Sequence, residues 1–419
     1  MTRPAHLVLV TLAMGAIACH PADPRLVDGR SDALAPVSTG NNELAWDMLQ
    51  TVSDMDGGNL FFSPFSMVAC LSMVYGGAEG ETEAQLAAAM SVPDEGEASW
   101  HENLGALLAD LSGEHYRGYT LYSANRVWGR QGYPFEQGYL DMLDGSYLAP
   151  LQEANFAADP EAVRTEINDW VSEVTRERIP ELFESGDING DTVLALVNAI
   201  YFMADWATEF DPRDTEDGDF ELADGDVVRV PMMHAEATFM AGEQPDGTQV
   251  LQLPYDGDEL SMVILLPATA DGIEELVASL DDGTVTDHLA IVSEREEFTV
   301  ELPSFQMEYD LPFEDALRDL GITDAFDPIL ADFSGIVDPS DGQIWIGAAR
   351  HKAFVRVDEQ GTEAAAATGL TMEDGAAGPD ELTAIHVDRP FVYMIQDDLT
   401  DTVLFVGLMM DPSAAPLQD

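Results

Sequence analysis

The sequence predicts an α+β fold, on three observations. Helical periodicities cluster early in the chain, alternating strand-like segments dominate later, and the two never interleave as they would around a parallel βαβ sheet. With 419 residues, 46% of them hydrophobic, the chain can bury a large core. Repeats and long low-complexity tracts are absent from the sequence.

In chain order, Glu43 to Met55 and Ser63 to Tyr75 read as helices, the second opened by Ser63 as cap with Pro64 at the first helical position. Glu81 to Met90 is a short third helix. Glu161 to Thr175 places Val163, Ile167, Trp170, Val171 and Val174 on one face, a stripe that must lie flat on something. Val193 to Phe202 is a nearly unbroken apolar strand, the pattern of a strand covered on both faces. Val250 to Leu253 and Leu260 to Leu266 flank the turn Pro254-Tyr-Asp-Gly-Asp258 and read as a hairpin. Phe298 to Leu302, Trp345 to Ile346 with His351 to Asp358, Phe391 to Gln396 and Val403 to Leu408 supply the later strands.

A formal charge of -62, from 79 acidic against 17 basic residues, repels nucleic acid and anionic membrane, and the Lys/Arg clusters of a heparin site are missing. Acidity spread along the whole chain favours solubility in salt-rich surroundings. No metal or cofactor is expected: the eight histidines show no ligand spacing, and nucleophile-elbow, zinc-protease, phosphate-loop and dinucleotide motifs are lacking. Enzymatic chemistry is therefore not expected.

Residues 1–18 read as a signal peptide: Arg3 precedes the apolar run Leu7 to Ile17. Ala16-Ile-Ala-Cys19 resembles a bacterial lipoprotein box with Cys19 as the lipidated residue, the alternative being ordinary cleavage nearby and free secretion. The expected location is the outer membrane or cell surface, or the medium. Residues 19–41, rich in Pro, Asp, Gly and Ser, read as a flexible tether. Cys70 is then the remaining thiol, so no intrachain disulfide can form, and its apolar helix makes it a structural cysteine.

The segment Asp358 to Gly369 joins unlike regimes. A strand pattern precedes it, small irregular residues follow, and between them four alanines carry almost no bulk, compatible with lying either inside or outside a sheet. Several stretches, part of this one included, resemble the serpin family in the family's chain order. They are Asn59-Leu-Phe-Phe-Ser-Pro-Phe-Ser66, Leu196-Val-Asn-Ala-Ile-Tyr-Phe202 with Trp206 and Phe210, Val230-Pro-Met-Met-His234, Leu253 to Pro267, His351-Lys-Ala-Phe, Glu359 to Thr368 and Arg389-Pro-Phe391. The resemblance covers residues 42–413 as one serpin domain, with 414–419 a C-terminal tail.

This resemblance implies three β-sheets with eight or nine helices and an exposed reactive-centre loop above a central five-stranded sheet A. It implies a monomeric suicide inhibitor of serine proteases, with cysteine proteases as a second class; a non-inhibitory binding or carrier protein is the alternative. The hinge maps to Glu359, Gly361, Thr362, Glu363, Ala364, Ala365, Ala366, Ala367 and Thr368. Period two turns Thr362, Ala364, Ala366 and Thr368 inward on insertion, all of them small. The gate maps to Ser63, Ser66, Asn198, Trp206 and His351, and Glu161 to Thr175 to the helix across the sheet. Arg176-Glu-Arg-Ile179 there replaces the more usual Gly-Lys-Ile. The family interval places the reactive bond at Gly375 and Ala376, suiting elastase-like or subtilisin-like proteases. Loop length leaves Ala377 open, Glu373 or Asp374 would mean an acid-specific target, and Leu370 or Met372 a chymotrypsin-like one.

Overall fold

Local chemistry sets the early helices of this computed structural model, which describes residues 30–93, 96–111, 113–114, 119–147, 149–362 and 383–417. The Ser63 side chain accepts from the Ser66 amide and Pro64 follows at the first position, so a helix starts there as expected. The elements run α1 (Arg30–Asp56), β1 (Leu60–Phe62), α2 (Pro64–Tyr75), α3 (Gly80–Ala89), α4 (Glu97–Leu111), β2 (Gly113–Glu114), β3 (Tyr119–Arg130), α5 (Gln137–Tyr147), β4 (Leu151–Ala154) and α6 (Pro160–Val174). They continue β5 (Leu194–Asp205), β6 (Glu216–Glu221), β7 (Val227–Glu243), β8 (Gln249–Pro254), β9 (Leu260–Leu266), α7 (Ile273–Ser279), α8 (Asp282–Leu289), β10 (Ser293–Pro303) and β11 (Phe305–Leu311). Last come α9 (Phe313–Asp319), β12 (His351–Val357), β13 (Gly361–Thr362), β14 (Ala384–His386), β15 (Phe391–Asp397) and β16 (Thr402–Met409).

One sheet runs β11-β12-β13-β5-β3-β2, with β4 pairing parallel to β3. Its five longer strands are β11, β12, β5, β3 and β4. The other hydrogen-bonded array runs β1-β16-β15-β9-β8-β7-β10-β14 with β6 on β7. It comprises two sheets sharing one strand, because β7 pairs with β6 and β10 along most of its length and with β8 through its last four residues. The expected three-sheet architecture thus holds.

The main core lies between the sheets. Helix α2 is buried along nearly its whole length there and touches both β5 and β16. A second core covers the opposite face of β5, where Val163, Ile167 and Val171 of α6 meet Trp128, Ala195 and Val197. β5 is therefore covered on both sides, as its unbroken apolar run demands.

Two expectations need correction. Helix α1 begins at Arg30, so residues 30–41 are helical rather than tether. Linker-like composition is overridden by contacts: Leu34 and Val37 are buried, Ser38 bonds the Thr402 hydroxyl at 2.7 Å, and Asn41 donates to the Val403 carbonyl at 2.8 Å. Trp345 and Ile346 form no strand. Trp345 is 46% exposed, the Ile346 amide bonds Ala325 O, and the strand starts at His351.

Ile167→Ala should cost about 2–5 kcal/mol, since a fully enclosed side chain leaves a cavity between α6 and β5. Urea unfolding of the variant measures it.

Candidate functional site

The site begins where β12 ends. Asp358 caps the turn: its carboxylate accepts from the Gln360 amide at 3.1 Å and from Arg356 Nε at 2.9 Å, while its own amide donates to Gly361 O at 3.0 Å. That turn sends Gly361 and Thr362 back as β13, between β12 and β5. Val357 pairs with Thr362 on one side, and Gly361 with Asp205 and Thr362 with Ala204 on the other. Among the described residues no ladder joins β12 to β5 directly; Gly361 and Thr362 lie between them.

Sterics explain the glycine. A Cβ at position 361 would lie 2.1 Å from Ala204 O and 2.8 Å from Asp205 Cα, closer than any side chain permits. Gly361 is thus required by close backbone approach. Thr362 is buried, and its hydroxyl meets Tyr255 Oη at 2.7 Å.

Trp206 stands beside the turn that leads into β13. Its indole Nε1 donates to Asp358 O at 3.0 Å and its amide to Gln360 O at 2.8 Å. The Phe210 amide donates to Glu359 O at 2.9 Å, and Thr215 Oγ1 to the Glu359 carboxylate at 2.7 Å. Tyr255 stacks on Trp206 with centroids 4.6 Å apart and planes within 8°. Tyr255 and Thr215 were missed by sequence reasoning. Tyr255 sits in a stretch that reads as a turn, with nothing local to mark its reach across to Thr362.

Lower in the sheet, the Ser63 amide donates to His351 Nε2 at 3.1 Å, and Ser63 Oγ donates to Leu404 O at 2.7 Å. The bond requires a neutral ring with its proton on Nδ1. Burial pushes the His351 imidazole down to about 3, holding it neutral across the physiological range. Ser66 joins through its amide to Ser63 Oγ at 3.1 Å. The Asn198 backbone pairs with Asn125 on β3, while its side chain lies outside the described residues. Glu363 to Thr368, Gly375, Ala376 and Cys19 also lie outside them.

Near the starts of β5 and β12 lies a cavity of about 520 Å³ whose walls include Leu71, Val74, Leu194, Ile346 and Ala349. Cys70 lines it too; apolar surroundings push its thiol up to about 12, so it is inert at neutral pH.

Comparison with known proteins agrees with this geometry. A family model described as Serpin (serine protease inhibitor) matches residues 39–412. Leukocyte elastase inhibitor A of Mus musculus is 37% identical over 386 residues, covering 90% of this chain and 99% of that protein. Serpin B6 of Pongo abelii is 35% identical over 381 residues, with the same shares covered. Uncleaved ovalbumin superposes with a TM-score of 0.78 and 25% identity, and a loop-inserted, cleaved ovalbumin mutant with 0.80 and 25%, each covering 90% of this chain and 100% of the other. The chain belongs to the serpin family.

Two outcomes follow from the site. Gly361→Ala should drive the hinge from between β5 and β12, and loop cleavage should then stabilise the variant far less than the parent, as read by Tm. Because His351 is depressed in the fold, its contribution is complete above pH 6.5 and is lost as pH falls toward 3. Stability should drop there by about 1.4 kcal/mol per pH unit. His351→Gln should flatten that part of a urea-unfolding pH profile.

Proposed function

We propose that this chain is a suicide-substrate inhibitor of serine proteases. A target attacks the loop carbonyl through its serine, the amine side leaves, and the ester-linked loop inserts as a strand before water can hydrolyse the acyl-enzyme. The observation that carries the proposal is β13, whose Gly361 and Thr362 pair with β12 on one side and β5 on the other.

Register supports the reading. Gly361 faces Asp205, so continuing one for one sets Met372 opposite Leu194, where β5 begins. On the other lip Thr362 faces Val357, which sets Thr368 opposite His351, where β12 begins. The small-residue run Thr362 to Thr368 therefore matches β12 residue for residue. Thr362 points into the main core beside Ala204, so Ala364, Ala366 and Thr368 follow it inward and Leu370 and Met372 arrive over the apolar cavity. Each inward group up to Thr368 is small, so insertion meets neither a buried charge nor a missing donor.

A reactive bond at Gly375 and Ala376 lies beyond Met372, leaving the strand intact after cleavage. Small residues there favour elastase-like or subtilisin-like serine proteases, and one relative is named as a leukocyte elastase inhibitor. We also propose that the protein acts as a monomer, exported through residues 1–18 and anchored through a lipid on Cys19. Intact mass of the mature N-terminus tests the anchor.

Incubation with subtilisin or pancreatic elastase should give an SDS-stable complex near equimolar ratio, and cleavage of the loop should raise Tm. Thr362→Arg should be cleaved like the parent yet trap nothing, because the arginine would enter the buried row. No complex across a broad protease panel, with Tm unmoved by cleavage, would leave the binding or carrier reading. Mass spectrometry of the released C-terminal fragment locates the bond; a cut before Met372 would overturn the assignment.

A further inference from the structure

The cavity near the starts of β5 and β12 is walled by segments pinned from outside it. On one side the chain between α9 and β12 is tied to the end of α2. There the Gly335 amide donates to Gly77 O at 3.2 Å, and a Cβ at position 335 would lie 3.0 Å from that same oxygen, so the two chains meet at bare glycines. Farther along, Ala325 O holds the Ile346 amide at 2.9 Å. On the other side Asn168 of α6 clamps the chain ahead of β5, donating to Phe183 O at 2.9 Å and accepting from the amides of Leu182 and Phe183. Phe183, Phe313 and Phe333 thus line a space that Gly347, Ala348 and Ala349 are too small to fill, and a Cβ at position 347 would meet nothing within 4 Å.

The mouth gathers apolar surface. Among the described residues five large apolar side chains are exposed, and three of them belong here. Trp345 lines the opening, and Ile329, 81% exposed, and Leu330 adjoin it, because Gln343 of the lining donates to Ile329 O and Ala331 O at 3.0 Å each. Large apolar groups set together in water mark a place where something docks.

Polar groups at the mouth select the ligand. Arg350 gives Nε and Nη2 to the two oxygens of Asp187 at 3.0 and 2.9 Å, which offsets both charges and leaves Nη1 without a partner among the described residues. Asp191 adds a negative charge to the rim. An anion would meet that charge and the field of a chain at -62, whereas a neutral acceptor can take the spare N–H.

We propose that this cavity binds a small, neutral, apolar molecule carrying one hydrogen-bond acceptor, its body against the three phenylalanines and its acceptor oxygen on Arg350 Nη1. Small-molecule sites are hollows of roughly 300–1,000 Å³, mostly apolar with a few placed polar groups, and this one has the size and the lining. Binding here requires neither cleavage of the loop nor its insertion, so the proposal is independent of the inhibitory reading.

Prodan, a neutral naphthalene bearing a ketone, is the probe. Titrated into the full chain it should show blue-shifted emission that saturates at a single site, and bind about tenfold tighter than anilinonaphthalene sulfonate, which offers the same ring system with an anion. Ala349→Leu, which fills the hollow, should weaken prodan about tenfold. Arg350→Met, which keeps the stem and removes the donor, should weaken it severalfold. Trp345→Ala alters an exposed wall, so its fold, checked by circular dichroism, should match the parent while prodan binds severalfold more weakly. Val227→Ser, at an exposed apolar residue of β7 outside the cavity, should change nothing. Absent or non-saturating binding, binding that survives both Ala349→Leu and Trp345→Ala, or a sulfonate held as tightly as prodan overturns the proposal.

Discussion

Two buried strands that are neighbours in the sheet yet share no described ladder set the terms for everything else. β5 bonds fully to β3 on one side, and on the other to Gly361 and Thr362. Buried backbone groups demand partners, and leaving one unmade costs about 1–3 kcal/mol. An opening between two such strands would therefore be an energetic debt that a strand of the right length removes. At its upper end the close approach of Gly361 to Ala204 and Asp205 leaves room for no side chain.

Much of this was legible in the sequence because it is local. Ser63 with Pro64 marks a helix start, the unbroken run from Val193 marks a strand covered on both faces, and the alanines between Gly361 and Thr368 mark a segment of low bulk. What escaped is what depends on distance along the chain. Residues 30–41 look like linker until Ser38 and Asn41 find β16, and Tyr255 looks like turn until it meets Thr362. Strand β3 and helices α4 and α5 were not read at all; their character comes from partners rather than from periodicity. The polar cluster at His351 fell between the two cases, named through family resemblance and given its geometry by the fold.

Charge shapes the site through what it avoids. A chain of formal charge -62 places arginine faces on Tyr201 of β5, Phe354 of β12 and Trp170 of α6. Attraction to a ring quadrupole at close contact is short-ranged, whereas exposed ion pairs are screened away by salt. His351 follows the same logic from the opposite direction, kept uncharged by burial so that a neutral nitrogen can accept from Ser63.

The early start of α1 bears on reach. Were Cys19 fixed in a bilayer, the leash to the folded body would run from there to Arg30 rather than to Asn42. At roughly 3.5 Å per extended residue it spans at most about 40 Å instead of about 80 Å. So short a leash would confine the folded domain to a shell hugging the membrane, where its local concentration is high. Molecules diffusing farther out would pass beyond its grasp.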